Sequence, residues 1–151
     1  MTVERRLAEL GLALPSPPVP VGNYIPAAQT GNLVFTSGQT SRVDGVRRYV
    51  GVVGRDVTPD DADRSARDAT LNCLACVKVV AGDLERIARV VKVVGFVNCP
   101  PHYERLSEVI DGASDLLKNV LGDRGQHVRT IIAGGSLPSN ASPSPISSAE
   151  D

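Results

Sequence analysis

Gly125-Gln126-His127-Val128-Arg129-Thr130-Ile131-Ile132 reads as a β-strand with a cation built into it. Side chains alternate along a strand, so His127, Arg129 and Ile131 share one face and Val128, Thr130 and Ile132 the other. An unpaired buried guanidinium is costly. Arg129 must therefore reach solvent, pair with an acid, or hold an anionic ligand. Its planar fork matches a carboxylate bidentately, which a lysine does not. Most charged strand residues are solvated, so an edge or interface salt bridge explains the same pattern.

The cysteines offer weaker chemistry. Cys73 and Cys76 are spaced as a Cys-x-x-Cys, which can mark a redox pair or half a zinc site. The pair falls mid-helix and has no second pair to complete it. Two small buried helix residues are the simpler reading. Cys99 and His102 likewise lack a complement. Three cysteines is an odd number, which argues against a disulfide framework.

At 151 residues the chain is long enough for one domain with a real core. A net charge of −1 gives no basic surplus for nucleic acid or membrane surfaces. Two Phe, three Tyr and no Trp leave little to stack on single-stranded bases. No apolar run is long enough to span a bilayer. The first residues lack the apolar centre of a signal peptide, so a cytoplasmic chain is expected.

The elements that must position Arg129 follow from periodicity. Val3, Leu7, Leu10 and Leu14 predict a first amphipathic helix, ended by a Pro-rich connector up to Pro18 and beyond. Tyr24 to Gln29 and Leu33 to Ser37 predict two strands joined at Thr30-Gly31-Asn32. Asp44-Gly45 signals a turn, and Tyr49 to Val53 a short strand. Thr58-Pro59-Asp60-Asp61 opens a helix to about Val80 with a small-residue stripe of Ala62, Ala66, Ala69, Cys73 and Cys76. Leu84 to Ile87 suits one helical turn. Val90 to Val97 reads as a central strand, and a third helix runs from about Tyr103 to Leu121. The order predicts an α+β fold: a mixed sheet with two long helices on one face. The sheet face bearing Val91 and Val93 would need cover from other subunits.

Several segments then carry a resemblance. Val21-Gly22-Asn23-Tyr24-Ile25-Pro26-Ala27, Gly31 to Gln39, Val90 to Asn98, Val109-Ile110-Asp111-Gly112-Ala113-Ser114-Asp115-Leu116-Leu117 and Gly125 to Arg129 resemble the Rid family of reactive-intermediate, or imine, deaminases, also called YjgF-like. The match spans about Val19 to Pro138. It divides the chain into an N-terminal helix and connector (1–18), a Rid-like domain (19–138) and a Ser/Pro-rich tail (139–151), disordered or extended. The N-terminal helix resembles that of a longer bacterial subgroup.

The resemblance implies a chorismate-mutase-like fold, a homotrimer with sheets facing inward, and ligand clefts at the subunit interfaces. It implies hydrolysis of 2-imino or 2-enamino acids to 2-keto acids and ammonia, without metal or organic cofactor. Arg129 falls on the family's carboxylate-binding arginine, Tyr24 on a cleft tyrosine, and Ser37 and Gly38 on the strand end flanking the ligand. Ile131 falls where the backbone faces the substrate nitrogen. Asp111 stands where an asparagine is usual, and an acid there repels a carboxylate ligand unless protonated or paired. After Leu137-Pro138 the family has a last strand carrying a glutamate that orients or activates water. Here a Ser/Pro tail follows, with Ser144 at the glutamate position, which predicts a missing strand and an edge that must be covered or left exposed. A non-catalytic carboxylate-binding or chaperone-like trimer is therefore the competing reading. Hydrolysis of a different carbon–nitrogen bond is a third.

Overall fold

The computed structural model of the chain describes residues 1–137 and, as backbone, 143–150. A short helix α1 (Val3–Glu9) is capped by the Thr2 hydroxyl, which accepts from the Arg5 amide. The expected helix through Leu14 ends early because Gly11 takes a left-handed φ of +70°. Leu12 and Leu14 still pack on the core. A hairpin of β1 (Ala27–Thr30) and β2 (Leu33–Thr36) follows, then a two-residue-per-strand hairpin, β3 (Arg42–Val43) and β4 (Val46–Arg47), turning at Asp44-Gly45. Tyr49 to Val53 forms no strand. Its Val53 amide instead donates to the Asn98 carbonyl, and Val53 makes one bridge to Val57.

Helix α2 (Pro59–Ala81) begins as its sequence dictates, with the Thr58 hydroxyl accepting from the Asp61 amide at 3.1 Å. Gly82, at φ +83°, ends it. One 3-10 turn (Leu84–Arg86) leads into β5 (Arg89–Asn98). Helix α3 (Leu106–Leu121) starts three residues later than expected, after His102 turns into the left-handed region at φ +62°. A second 3-10 turn (Gly122–Gly125) delivers the chain to β6 (Val128–Gly134).

The last strand is present. Pro143–Glu150 forms β7, and the sheet order is β1-β2-β7-β5-β6. β7 is antiparallel to both β2 and β5, whereas β6 runs parallel to β5. This corrects the expectation of a missing strand. Without β7, facing backbone N–H and C=O groups of β2 and β5 would lose their partners in mid-sheet. Ladder pairing uses the backbone, so a Ser-rich segment can supply it. Too few apolar residues to repay ordering is what hides the segment in the sequence, and Pro143 and Pro145, which lack an N–H, hide it further. Ser144 pairs in register with Phe96. Residues 138–142 and Asp151 lie outside the described residues.

α2 and α3 lie together on one sheet face. The main core joins Val34, Leu71, Leu74, Val77, Val90, Val93, Leu117 and Val120, and α1 adds Val3 and Leu7 to it. The N-terminal helix is thus part of the domain's core. A second cluster holds Val53, Ala62, Ala66, Val97, Val109, Ile110 and Ala113. The helices approach closely at Gly112, where a Cβ would run into the backbone carbonyl of Asp63. This contact fixes the height of Asp111 and Ser114 above the sheet. Backbone cannot yield as a side chain can, so Gly112→Ala should lower stability by about 1–3 kcal/mol, the cost of overpacking. A denaturant midpoint equal to wild type would show that the helices separate freely.

The other sheet face is open. Leu33, Phe35, Val128 and Ile132 are exposed on it, and Val94 and Phe96 are half-buried. Val93 is not part of this face, contrary to expectation: it is buried under the helices. A register irregularity between Val90 and Lys92 turns both Val90 and Val93 inward and shifts the alternation beyond it.

Candidate functional site

Arg129 and Ile131 point toward the helices, as strand alternation requires, while Val128, Thr130 and Ile132 face out. The Arg129 guanidinium reaches α3. Its Nη1 donates to Asp111 Oδ1 at 2.8 Å and to Ser114 Oγ at 3.0 Å. Ser114 Oγ lies 3.0 Å from His127 Nε2, and His127 Nδ1 lies 2.7 Å from the Gly125 carbonyl. Asp111 and Ser114 are three residues apart, so both point from one side of α3 at the same arginine. Arg129 is largely but not wholly buried, and Asp111 is half exposed. The Nε and Nη2 edge of Arg129 has no partner among the described residues.

Asp111 is therefore paired, which meets the condition for an acid beside a carboxylate site. Sequence reasoning placed His127 on the face of Arg129 and Ser114 in the α3 motif, yet assigned neither a role. The legible signal was the combination of strand alternation with helix spacing.

Tyr24, Ser37 and Gly38 form a second group. Ser37 Oγ donates to the Ile25 carbonyl at 2.7 Å, and the Ser37 amide donates to the Pro26 carbonyl at 2.8 Å. These bonds tie the bend carrying Tyr24 to the end of β2. Tyr24 and Gly38 line a cavity of about 380 Å³ with Val19, Val21, Arg42 and Phe96. Tyr24 and Ser37 line a shallower hollow beside Phe35.

The two groups do not meet within one chain. β6 is one edge of the sheet, and β2 is three strands away. At about 4.8 Å per strand, that separates them by roughly 14 Å across the sheet. Arg129 and Asp111 line neither hollow.

Residues 4–144 match the family described as "YjgF/chorismate mutase-like, putative endoribonuclease". The chain belongs to the YjgF/RidA, or Rid, family. Its Rid fold superposes on a protein from Shewanella oneidensis, described as a putative endoribonuclease, with TM-score 0.97 and 34% identity over 100% of both chains. Atu1372 from Agrobacterium tumefaciens, a protein of unknown function, is 41% identical with TM-score 0.90, covering 99% of this chain and 91% of its own. Protein TCP17 of Trypanosoma cruzi is 34% identical over 140 residues, 92% of this chain and 88% of TCP17. Escherichia coli TdcF, solved with bound serine, shares the fold at 18% identity and TM-score 0.66, over 91% of this chain and 92% of its own. The Rid match extends through most of α1, beyond the Val19 boundary of the sequence resemblance.

The cysteines of this Rid chain are reduced and buried. No group of three or more His, Cys, Asp or Glu among the described residues is placed to hold a metal. Cys73 and Cys76 pack in the helix core, and burial pushes the Cys76 thiol up to about 11. The thiolate is the reactive form, so native protein at pH 7 should leave Cys76 unalkylated by iodoacetamide, with modification only in denaturant. Mass spectrometry showing rapid native labelling at Cys76 would contradict this packing. No helix among the described residues is long and apolar enough to cross a membrane.

Proposed function

We propose that this protein is a cytoplasmic hydrolase that deaminates reactive 2-imino and 2-enamino acids to 2-keto acids and ammonia. The observation that carries this reading is the half-engaged Arg129. Asp111 and Ser114 both use Nη1, so the Nε/Nη2 edge is oriented for side-on bidentate pairing with a substrate carboxylate. Holding that carboxylate turns hydrolysis into a positioned attack of water on the adjacent carbon. The serine bound to TdcF gives the same ligand class, a small amino-acid carboxylate, in a protein of this fold.

The reading needs an assembly. Arg129 and Asp111 stand at one sheet edge, and Tyr24, Ser37 and Gly38 at the other. A homotrimer joined head to tail brings the β6 edge of one subunit to the β1–β2 edge of the next and closes as a ring. Each cleft then takes Arg129 and the Ile131 backbone from one subunit, and Tyr24, Ser37 and the Gly38 backbone from its neighbour. Inward-facing sheets would cover Phe35, Val94, Phe96 and Ile132. A net charge of −1 gives no support to RNA as the substrate.

A second reading has a specific observation behind it. Ser144 stands where the family carries its water-activating glutamate, and this favours a carboxylate-binding trimer without turnover. Imines made in situ by an amino-acid oxidase and trapped with semicarbazide decide between them. Faster imine loss with wild type supports the deaminase. No acceleration across several amino acids, with keto acids still binding, supports the binding protein.

A further inference from the structure

Ser114 holds Nη1 of the carboxylate clamp, and its further bond to His127 is one that the clamp does not require. We propose that Ser114 and His127 are the proton relay of imine hydrolysis in this chain, supplying the base that Ser144 cannot. This inference rests on the deaminase reading above. With His127 as the neutral imidazole, the hydrogen bonds set the direction of the relay. A carbonyl only accepts, so His127 Nδ1 carries the proton directed at Gly125, and neutral Nε2 accepts from the Ser114 hydroxyl. Ser114 Oγ in turn accepts from Arg129 Nη1. One lone pair of Oγ remains to take a proton from water. Ser114, His127 and Arg129 are each only half-buried, so water reaches the pair. The charged groups bonded into this chain are Arg129 and, beyond it, Asp111.

The relay is placed beside the substrate by the same guanidinium that binds it. With a carboxylate on the Nε/Nη2 edge, its C2 is one bond from the clamped group, and Ser114 sits on the adjoining nitrogen. Water attacks C2 of the protonated imine and the C–O bond forms. The C=N π pair moves to nitrogen. One water proton passes to Ser114 Oγ as the serine proton passes to His127 Nε2. The product is a carbinolamine and an imidazolium. The imidazolium then returns its proton through Ser114 to the amine. The C–N bond breaks with its electrons on nitrogen, ammonia leaves, and the carbinolamine hydroxyl releases its proton to solvent as the C=O bond forms. No oxidant, metal or cofactor enters the balance.

The test uses the full chain, the oxidase-generated imines and pyruvate binding by calorimetry. Glutamine at 127 can keep a hydrogen bond to Ser114 but cannot take its proton. His127→Gln and Ser114→Ala should each lower kcat/KM by ~10²–10⁴-fold, the usual worth of general-base help. Pyruvate affinity of His127→Gln should stay within about threefold, because Ser114 stays on Nη1 and the Nε/Nη2 edge of Arg129 is untouched. The pH–rate profiles of wild type and His127→Gln should differ, as a base supplied by His127 requires. Added imidazole should restore part of the rate of His127→Ala, a gain that a purely structural histidine does not give. Variants with wild-type rate and pH profile would overturn the relay and leave the deaminase standing. Wild type that binds pyruvate but hydrolyses no imine would overturn both. If His127→Gln loses pyruvate binding, His127→Asn replaces it, and loss of binding in both makes the pair a structural support of Arg129 and overturns the relay.

Discussion

Arg129→Ala should weaken binding of small 2-keto acids by about 2–4 kcal/mol, the scale of truncating one partner of a buried charge pair. At about 1.4 kcal/mol per tenfold, that is roughly a 30- to 1,000-fold rise in Kd. Two effects add. The fork that matches the carboxylate is gone, and Asp111, now without its 2.8 Å partner, is left as a bare carboxylate beside the ligand. Arg129→Lys should fall between wild type and alanine, because a point charge keeps the attraction and loses the bidentate geometry. Asp111→Asn should act in the opposite direction. It removes a competing carboxylate from Nη1, and because Asp111 is half exposed the gain is only about 0.2–1 kcal/mol. Calorimetry with pyruvate measures all three. Equal affinity for wild type and Arg129→Ala would take Arg129 out of the site.

Ile132→Lys should break the assembly and abolish imine turnover while leaving the subunit folded. Ile132 sits on the edge strand of the open face, beside Phe96 in register, and is 44% exposed in the single chain. Its side chain belongs to neither buried cluster of the subunit. In a trimer closed over that face, each copy would bury an uncompensated ammonium, at a cost of about 3–5 kcal/mol. Sedimentation should shift from about three times the 15.9 kDa chain mass to a single chain. Circular dichroism should be unchanged. Turnover should go with the assembly, since one chain holds Arg129 and Tyr24 at opposite sheet edges. A wild-type monomer that hydrolyses imines would refute the shared cleft. A trimeric Ile132→Lys would place the interface elsewhere.

The sequence alone determined the elements whose signals are local. Thr58-Pro59 and Gly82 bound α2 because caps and stops act within a few residues. The alternation around Arg129 placed it with His127 and Ile131 on one face, and the packing of α3 made that the helix face. The Asp111-Gly112 motif placed an acid on α3 beside a glycine, whose close approach to α2 the tertiary structure supplied. Tertiary structure decided what depends on distant partners. The strand at 143–150 exists through backbone pairing with β2 and β5, which leaves no signature in Ser and Pro side chains. The irregularity at Val90 and Lys92 reversed which valines face out, because a one-residue slip changes the face of everything beyond it. The link from Arg129 through Ser114 to His127 joins a helix to a strand 13 and 15 residues away, and only the packing of α3 over β6 brings them within hydrogen-bond reach.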